Sequence, residues 1–269
     1  MRVTTSRRSL PLFDRSNPPA FAKASEMQPD RPESWDGRIF LSFDLDWAPD
    51  AVIAATVDLV EEAGVAATWF VTHDTPILRR LRANLRFELG IHPNFLPLLM
   101  QGNGANGGSA GEVVDRLLEI VPEAKSVRSH SLVQSCRLSD LFRSRGLTHE
   151  ANNFIPEADG TVLQPWLDTS GMIRIPYGWQ DNFWCSPGPA SGAISLAPRP
   201  GLRGYTFHPV HIFLNTEDMS RYEAARPDFR DPSALAGHRN AAVPGVADML
   251  ERVLDLASPE AVAARFKVA

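Results

Sequence analysis

One short stretch most constrains what this chain can fold into. Residues 38–43 read Arg-Ile-Phe-Leu-Ser-Phe, a nearly continuous apolar run that follows Gly37 and is typical of a strand buried on both faces. The run ends in two carboxylates, Asp44 and Asp46. In parallel sheets and barrels, ligands bind at the carboxyl ends of the strands. The stretch therefore predicts a buried strand that presents two acids to a site, although acids here also cap a following helix, a role that Asp50 can fill alone.

The segments after this strand alternate between helical and extended periodicity. Residues 51–63 carry apolar side chains at helical spacing and stop at Gly64, and residues 65–71 read as the next strand. Further helices are expected at 75–85, 109–120, 138–145 and 243–256, and further strands at 86–92, 125–128, 147–150, 171–176 and 205–208. This alternation predicts an α/β fold with a parallel sheet or barrel and right-handed crossovers.

Length and composition favour one domain preceded by an extension. The chain has 269 residues, enough for one large α/β domain. Residues 1–36 are rich in proline and charge, and we expect them to wrap the domain or stay loose. Residues 37–269 are then a single domain without an internal repeat, in which the polar segment 215–240 has no assignable role.

Bulk properties argue against several classes of protein. A net charge of -5 and a pI near 5.8 speak against nucleic-acid binding, and no apolar run is long enough to span a bilayer. The twin arginines Arg7 and Arg8 lack the apolar segment of an export signal. Two cysteines, Cys136 and Cys185, make no disulfide framework, which favours the cytoplasm. The glycine-rich loop 101–108 lacks the Gly-Lys-Ser/Thr ending of a phosphate loop.

Residues that bind divalent metals recur where predicted strands end. They are Asp44 and Asp46, His92, His130, and His208 with His211. A single histidine after a strand is usually a hydrogen-bonded loop residue, but recurrence at one edge of the sheet favours a site. One Asp and two His with an open position suit a catalytic zinc ion. A second carboxylate then serves as general base and a further His as general acid, which are the parts of a metal-assisted amide or ester hydrolase.

The order of short motifs carries a resemblance to a known family. The motifs are Phe43-Asp44-Leu45-Asp46, Ala67-Thr68-Trp69-Phe70, Gly90-Ile91-His92-Pro93-Asn94, Arg128-Ser129-His130, Trp179-Gln180-Asp181 and Phe207-His208-Pro209. They resemble the motifs of the polysaccharide deacetylases of the NodB-homology type, which include carbohydrate esterase family four and its outlying branches. The resemblance covers about residues 37–214 and implies a distorted or incomplete (β/α) barrel.

The resemblance also implies a role for each residue of the site. Asp44 would be the catalytic base, and Asp46 and His92 would be metal ligands. The family's second motif ends in another ligand histidine, but that position here is Leu96. We therefore expect His130 to replace it. Arg128 would orient the base.

The general acid is left open by the sequence. The resemblance implies His208 for this role, with Asp181 orienting it, although His211 competes. The variant pattern most resembles the WbmS-like branch found in bacterial surface-polysaccharide (O-antigen) gene clusters.

Three further residues are predicted to bind substrate. Trp47 and Trp179 flank strand ends and can stack on sugar rings, although large aromatic residues more often belong to the core. Asn94 lies within the second motif. The predicted protein is thus a hydrolase with one divalent metal ion, zinc being the first choice, that removes an N-acetyl group from a sugar of a bacterial surface polysaccharide or its precursor. The alternatives are a hydrolase of another small C–N amide, similar to allantoinase-like proteins, and a degenerate glycan-binding member without activity.

Overall fold

The computed structural model describes residues 19–101, 108–156, 161–187 and 194–257. The first 18 residues of the predicted extension and most of the glycine-rich loop lie outside these ranges. The strands are β1 (Ile39–Asp44), β2 (Ala67–Val71), β3 (Phe87–Ile91), β4 (Ser126–Val127), β5 (His149–Phe154), β6 (Trp166–Leu167), β7 (Ile173–Tyr177), β8 (Trp179–Gln180) and β9 (Arg203–Phe207). The α-helices are α1 (Asp50–Ala63), α2 (Leu78–Ala83), α3 (Leu96–Gln101), α4 (Ala110–Ile120), α5 (Cys136–Ser144), α6 (Asp181–Cys185), α7 (Pro209–Leu214), α8 (Met219–Ala225), α9 (Pro232–Ala236) and α10 (Val246–Leu254).

The strands form one curled sheet in the order β6-β7-β5-β4-β3-β2-β1-β9-β8. Every neighbouring pair is parallel except β6 with β7. Gly178 alone separates β7, which pairs with β5, from β8, which pairs with β9. Its N–H donates to the carbonyl of Gly204 over 3.1 Å, so the chain passes from one side of the curl to the other. The predicted α/β fold with an incomplete (β/α) barrel is confirmed.

β1 explains why the first apolar run is continuous. Side chains alternate between the two faces of a strand, and here both faces are covered. Ile39 and Phe43 belong to the core between the sheet and its helices, whereas Phe40 belongs to a second core inside the barrel. Asp44 lies on the same face as Phe40 and therefore points into the barrel at its carboxyl-terminal end.

Most predicted elements are confirmed with small changes at their ends. The helix expected at 51–63 is α1, which ends because Gly64 adopts φ 65°, a left-handed conformation that glycine enters at low cost. α4 begins at Ser109, whose side chain accepts from the Glu112 N–H in a capping box. The sequence did not predict several elements of two to seven residues, namely α3, β6, β8 and α6 to α9. None of the described helices is both long and apolar enough to cross a membrane.

The amino-terminal segment, residues 19–36, closes the amino-terminal end of the barrel. Ala24, Met27 and Trp35 are buried in the interior core with Phe40 and Tyr177. This part of the extension is packed against the barrel.

Polar contacts fasten the amino-terminal segment to the first residues of two strands. The backbone N–H and the hydroxyl of Ser25 donate to Glu88 of β3 over 2.9 and 3.0 Å. Nε2 of His149, the first residue of β5, lies 3.1 Å from the carbonyl oxygen of Met27. His149 is therefore a hydrogen-bonded structural residue, far along the strand from the predicted site.

Candidate active site

The predicted catalytic and metal-binding residues meet at the carboxyl-terminal end of the barrel. They end or follow five strands of the curled sheet, and parallel strands bring such positions to one edge. Asp44 and Asp46 come from β1, His92 from β3, Arg128 and His130 from β4, Asp181 from β8 and His208 from β9.

Asp46, His92 and His130 form a cluster that can hold a metal ion. His92 Nε2 lies 3.2 Å and His130 Nδ1 3.3 Å from Asp46 Oδ1, and one ligand atom from each residue lies within 4.8 Å of the others. Zn–N and Zn–O bonds of about 2.0–2.1 Å place two ligands of a tetrahedral site about 3.3 Å apart. The spacing and the carboxylate–imidazole donor set therefore fit zinc. Leu96, where the family motif has a second histidine, is instead the first residue of α3.

The backbone next to two of these residues is strained. Asp46 and Trp47 have φ of 39° and 56°, and Ser131 and Leu132 have φ of 55° and 56°. Residues with side chains enter this left-handed region at a cost, and such strain often marks functional sites. Within the described residues, four of the five non-glycine positions with positive φ are thus Asp46 itself or lie within two residues of Asp46 or His130.

Asp44 and Asp46 have different surroundings. Asp44 Oδ1 accepts from Arg128 Nη1 over 2.9 Å, which leaves Oδ2 facing the cluster, 4.0 Å from His92 Nε2. Burial by itself raises the pKa of Asp46, but its bonds to His130 and His92 outweigh burial and hold that pKa well below its usual value. One carboxylate is paired with a guanidinium and the other with two imidazoles.

Arg128 is completely buried beneath the site. Its guanidinium lies 4.5 Å from the ring centroids of both Phe70 and Tyr177, and Nε donates to the carbonyl of Ala151 over 2.9 Å. Aromatic faces stabilise a cation, so the apolar interior supports Arg128 from below while Asp44 neutralises it from above.

His208 faces the two carboxylates from the opposite side. Its Nε2 lies 3.7 Å from one oxygen of Asp44 and 3.7 Å from one oxygen of Asp46. Its Nδ1 lies 2.7 Å from Asp181 Oδ1, and its backbone N–H donates to Asp181 Oδ2 over 2.6 Å. Burial alone would lower the pKa of His208, but Asp181, Asp46 and Asp44 raise it to about 10.

His211 has a different environment, although it lies only three residues after His208, within α7. Its Nδ1 lies 3.1 Å from Thr216 Oγ1 and its Nε2 lies 2.6 Å from Asn182 Oδ1. Tyr222 of α8 packs on its ring with centroids 4.7 Å apart. Burial lowers the pKa of His211 to about 4. Both ring nitrogens of His211 are therefore occupied within the protein, and part of the segment 215–240 covers it from outside.

The three predicted substrate-binding residues lie in different places. Trp47 is 47% exposed and touches His130 edge-on, with ring centroids 5.2 Å apart. Asn94 is half-buried, and its Oδ1 accepts from the Leu96 N–H over 3.0 Å, which caps α3. Trp179 is buried against Phe207 with centroids 4.9 Å apart. The structure therefore brings Trp47 to the site and places Trp179 in the core.

Comparisons with known proteins agree with the motif order. The family model described as "WbmS-like: Polysaccharide deacetylase" matches residues 41–226, and no curated protein matches the chain. The crystal structure of WbmS from Bordetella bronchiseptica, assigned as a polysaccharide deacetylase involved in O-antigen biosynthesis, is 43% identical and superposes with a TM-score of 0.80. That similarity covers 87% of this chain and 96% of the other.

A more distant structure adds no argument. A protein from Mycobacterium smegmatis, also assigned as a polysaccharide deacetylase, is 16% identical over 80% of this chain and 89% of its own, with a TM-score of 0.43. The family match over most of the chain, together with the 43% identity to WbmS, is decisive. The chain belongs to the WbmS-like polysaccharide deacetylase family.

Proposed function

We propose that the chain is a metal-dependent N-deacetylase that hydrolyses an acetamido group on a sugar of a bacterial surface polysaccharide or its precursor. The observation that carries this proposal is the division of labour between Asp44 and Asp46. Asp46 has the two histidines expected of a metal ligand, whereas Asp44 has none at bonding distance and is held by Arg128. A protein that only bound a glycan would not need a second carboxylate, Asp44, beside the candidate metal cluster but outside it.

Asp46, His92 and His130 would hold the cation, and zinc suits this donor set. A bound zinc ion polarises a carbonyl oxygen and lowers the pKa of water from 15.7 to about 7. The remaining roles belong to the protein's own side chains.

Asp44 acts as the general base. Because Arg128 occupies Oδ1, the free Oδ2 faces the cluster and can accept a proton from the water that attacks the acetyl carbonyl carbon. Arg128 also fixes the orientation of the carboxylate. A carboxylate that is oriented by a hydrogen bond and lies beside a metal site is typical of the general base in hydrolases that activate water.

His208 acts as the general acid. Asp181 accepts from Nδ1–H and leaves Nε2 pointing at the carboxylate pair. When the C–N bond breaks, Nε2–H gives its proton to the departing amine, and the products are acetate and an amino sugar. We assign this role to His208 because both ring nitrogens of His211 already have partners.

The similarity to WbmS suggests the biological setting. WbmS is assigned to O-antigen biosynthesis, and we infer the same class of substrate for this chain. Trp47, half-exposed beside His130, offers an aromatic face to a sugar ring. We also place the reaction in the cytoplasm, since Cys136 and Cys185 are both free thiols.

The test combines acetate release with zinc content. Wild type, Asp44→Asn and the control Asp140→Asn, an exposed aspartate of α5, are assayed on a panel of acetamido sugars. Asp44→Asn should lose roughly a hundredfold to ten-thousandfold in kcat and retain its zinc, whereas Asp140→Asn should match wild type.

Three results would contradict the proposal. Acetate release by Asp44→Asn at the wild-type rate would reject the base. Hydrolysis of small cyclic amides with no turnover of any acetamido sugar would favour an allantoinase-like activity. Wild type that takes up no zinc and turns over nothing would favour the non-catalytic member.

A further inference from the structure

β5 contains an irregularity directly beneath the turn that carries His130. Its pairing with β7 shifts register between Glu150 and Asn153, as in a β-bulge, which re-aims backbone and side-chain groups. The carbonyl of Ala151 there accepts from Arg128 Nε over 2.9 Å. This part of β5 therefore contacts Arg128 of the candidate active site.

Asn152, in this bulge, holds the residue that precedes His130. It is buried, and its Oδ1 accepts from the backbone N–H of Ser129 over 2.7 Å. Its Nδ2 donates to Glu150 Oε1 over 2.7 Å and more weakly to Ser129 Oγ over 3.4 Å. The amide side chain therefore links Ser129 to a buried carboxylate.

That carboxylate belongs to a larger buried network. Glu150 is fully buried and forms an ion pair with Arg174 of β7. Arg174 Nε in turn donates to Asp168 Oδ2 over 2.6 Å, and Asp168 Oδ1 accepts from the backbone N–H of Met172 over 3.1 Å. The network runs from the turn between β6 and β7 to Ser129, so Asn152 is anchored at its far end to the sheet.

The position of Ser129 affects where the ring of the next residue, His130, lies. His130 approaches Asp46 through Nδ1, the ring nitrogen closest to the backbone. A shift of the backbone at this turn therefore displaces Nδ1 by almost the same distance. Ser131 and Leu132, the next two residues, have strained positive φ angles. Such a turn keeps its shape only where its surroundings hold it.

We propose that Asn152 is a positioning residue for the candidate metal site. Its side chain holds the Ser129 N–H and so sets where His130 Nδ1 stands relative to Asp46 and His92. This inference rests on the proposed function, since it assigns His130 to the metal. It adds a residue outside every motif that the sequence singled out.

The main test measures zinc affinity of the folded protein. Wild type, Asn152→Ala and Asn153→Ala are titrated with zinc in competition with a chelator, and circular dichroism confirms that each is folded. Asn153 is the matched control because it is the neighbouring asparagine and its Oδ1 has no hydrogen-bond partner among the described residues. Asn152→Ala should bind zinc about 10–100-fold more weakly, the usual effect of removing a group that orients a ligand, and Asn153→Ala should bind as wild type does.

A second pair of variants tests the link to Glu150. Asn152→Asp keeps an acceptor for Ser129 but sets a carboxylate against Glu150, so it should bind zinc more weakly than wild type. Adding Glu150→Gln restores a donor and an acceptor between the two side chains with their order reversed. The double variant should therefore recover affinity relative to Asn152→Asp alone.

Each outcome decides between supporting and rejecting the inference. A folded Asn152→Ala that is less thermally stable but binds zinc like wild type would show a merely structural role and overturn it. If Asn152→Ala does not fold, the second pair decides, and equal affinities of Asn152→Asp and the double variant would overturn it. Wild type that binds no zinc would instead reject the proposed function on which the inference depends.

Discussion

The two ends of the barrel interior differ in polarity. At the amino-terminal end, Ala24 and Met27 of the amino-terminal segment pack with Phe40 in a core of buried apolar side chains. At the carboxyl-terminal end, the interior holds the charged and imidazole groups around Asp44 and His208. The first end needs only close packing, whereas the second needs each polar group to have a specific partner.

Arg128 stands where the two ends meet, and it shows why they depend on each other. Its guanidinium contacts the rings of Phe70 and Tyr177 and pairs with Asp44. Because water cannot reach this position, the charge of Arg128 is neutralised by Asp44 alone among the described carboxylates. The apolar surroundings therefore make this ion pair necessary for stability, and the pair fixes the position of Asp44 in the barrel.

Removing Arg128 should have the largest effect. Arg128→Met keeps much of the volume but leaves Asp44 buried without its guanidinium partner, which should cost about 3–5 kcal/mol of unfolding free energy. Urea denaturation measures this, with the exposed Arg137→Met as control. Equal stability of Arg128→Met and wild type would show that the two ends do not depend on this pair.

At the polar end, Asp181→Asn should lower the catalytic rate more than the stability of the fold. The amide keeps the shape of Asp181 but weakens its hold on the Nδ1–H of His208, so kcat should fall by roughly a hundredfold while zinc content is unchanged. Acetate release and metal analysis on the same sample measure both. Normal turnover would contradict the proposed role of Asp181 in orienting His208.

At the apolar end, Met27→Ala should act on packing alone. Loss of a buried Met side chain should cost about 2–3 kcal/mol of unfolding free energy. Met100→Ala is the matched control, since Met100 is 83% exposed and should change stability by less than about 0.5 kcal/mol. Urea denaturation of both variants decides, and equal stabilities would mean that the amino-terminal segment adds little to the core.

The smallest expected effect is a dependence on pH at the apolar end. Burial lowers the pKa of His149, and its hydrogen bond to Met27 only partly offsets this. Because the unfolded state then takes up a proton more readily, the contribution of His149 is complete above its ordinary pKa of about 6.5 and is lost as pH falls toward the lowered value. Wild type should therefore lose stability between pH 7 and pH 5 more steeply than His149→Gln. Equal slopes would contradict this account.

Much of the candidate site could be predicted, because the order of parallel strands determines which residues come together. Residues that follow parallel strands meet at one edge, so the ends of β1, β3, β4 and β9 were enough to bring Asp44, Asp46, His92, His130 and His208 together. The packing of Met27 and Trp35 was not predictable, because isolated apolar residues in a proline-rich segment have no periodicity. The contact of Asn152 with Ser129 was not predicted, since it lies where β5 shifts register.

Two further cases show what sequence patterns could not predict. Trp179 resembles a surface aromatic residue in a motif, but β8 pairs with β9 and the Trp179 side chain lies in the core. The resemblance favoured His208 over His211 but left both open, and the structure shows that His208 contacts Asp181 whereas His211 contacts Asn182. In each case the deciding partner comes from a distant part of the chain or from the other side of the sheet.

The origin of the three candidate ligands has a consequence for how the chain folds. Asp46 and His130 are 84 residues apart, and Leu96 has replaced the histidine that would have given the chain two ligands within one loop. The three candidate ligands thus include no pair close together in the sequence that could capture a cation in the unfolded chain. Zinc added during refolding should leave the folding rate unchanged, because its site exists only after β1, β3 and β4 have come into register. Zinc should instead slow unfolding, because a cation that binds only the folded barrel would stabilise the native state and not the transition state for folding.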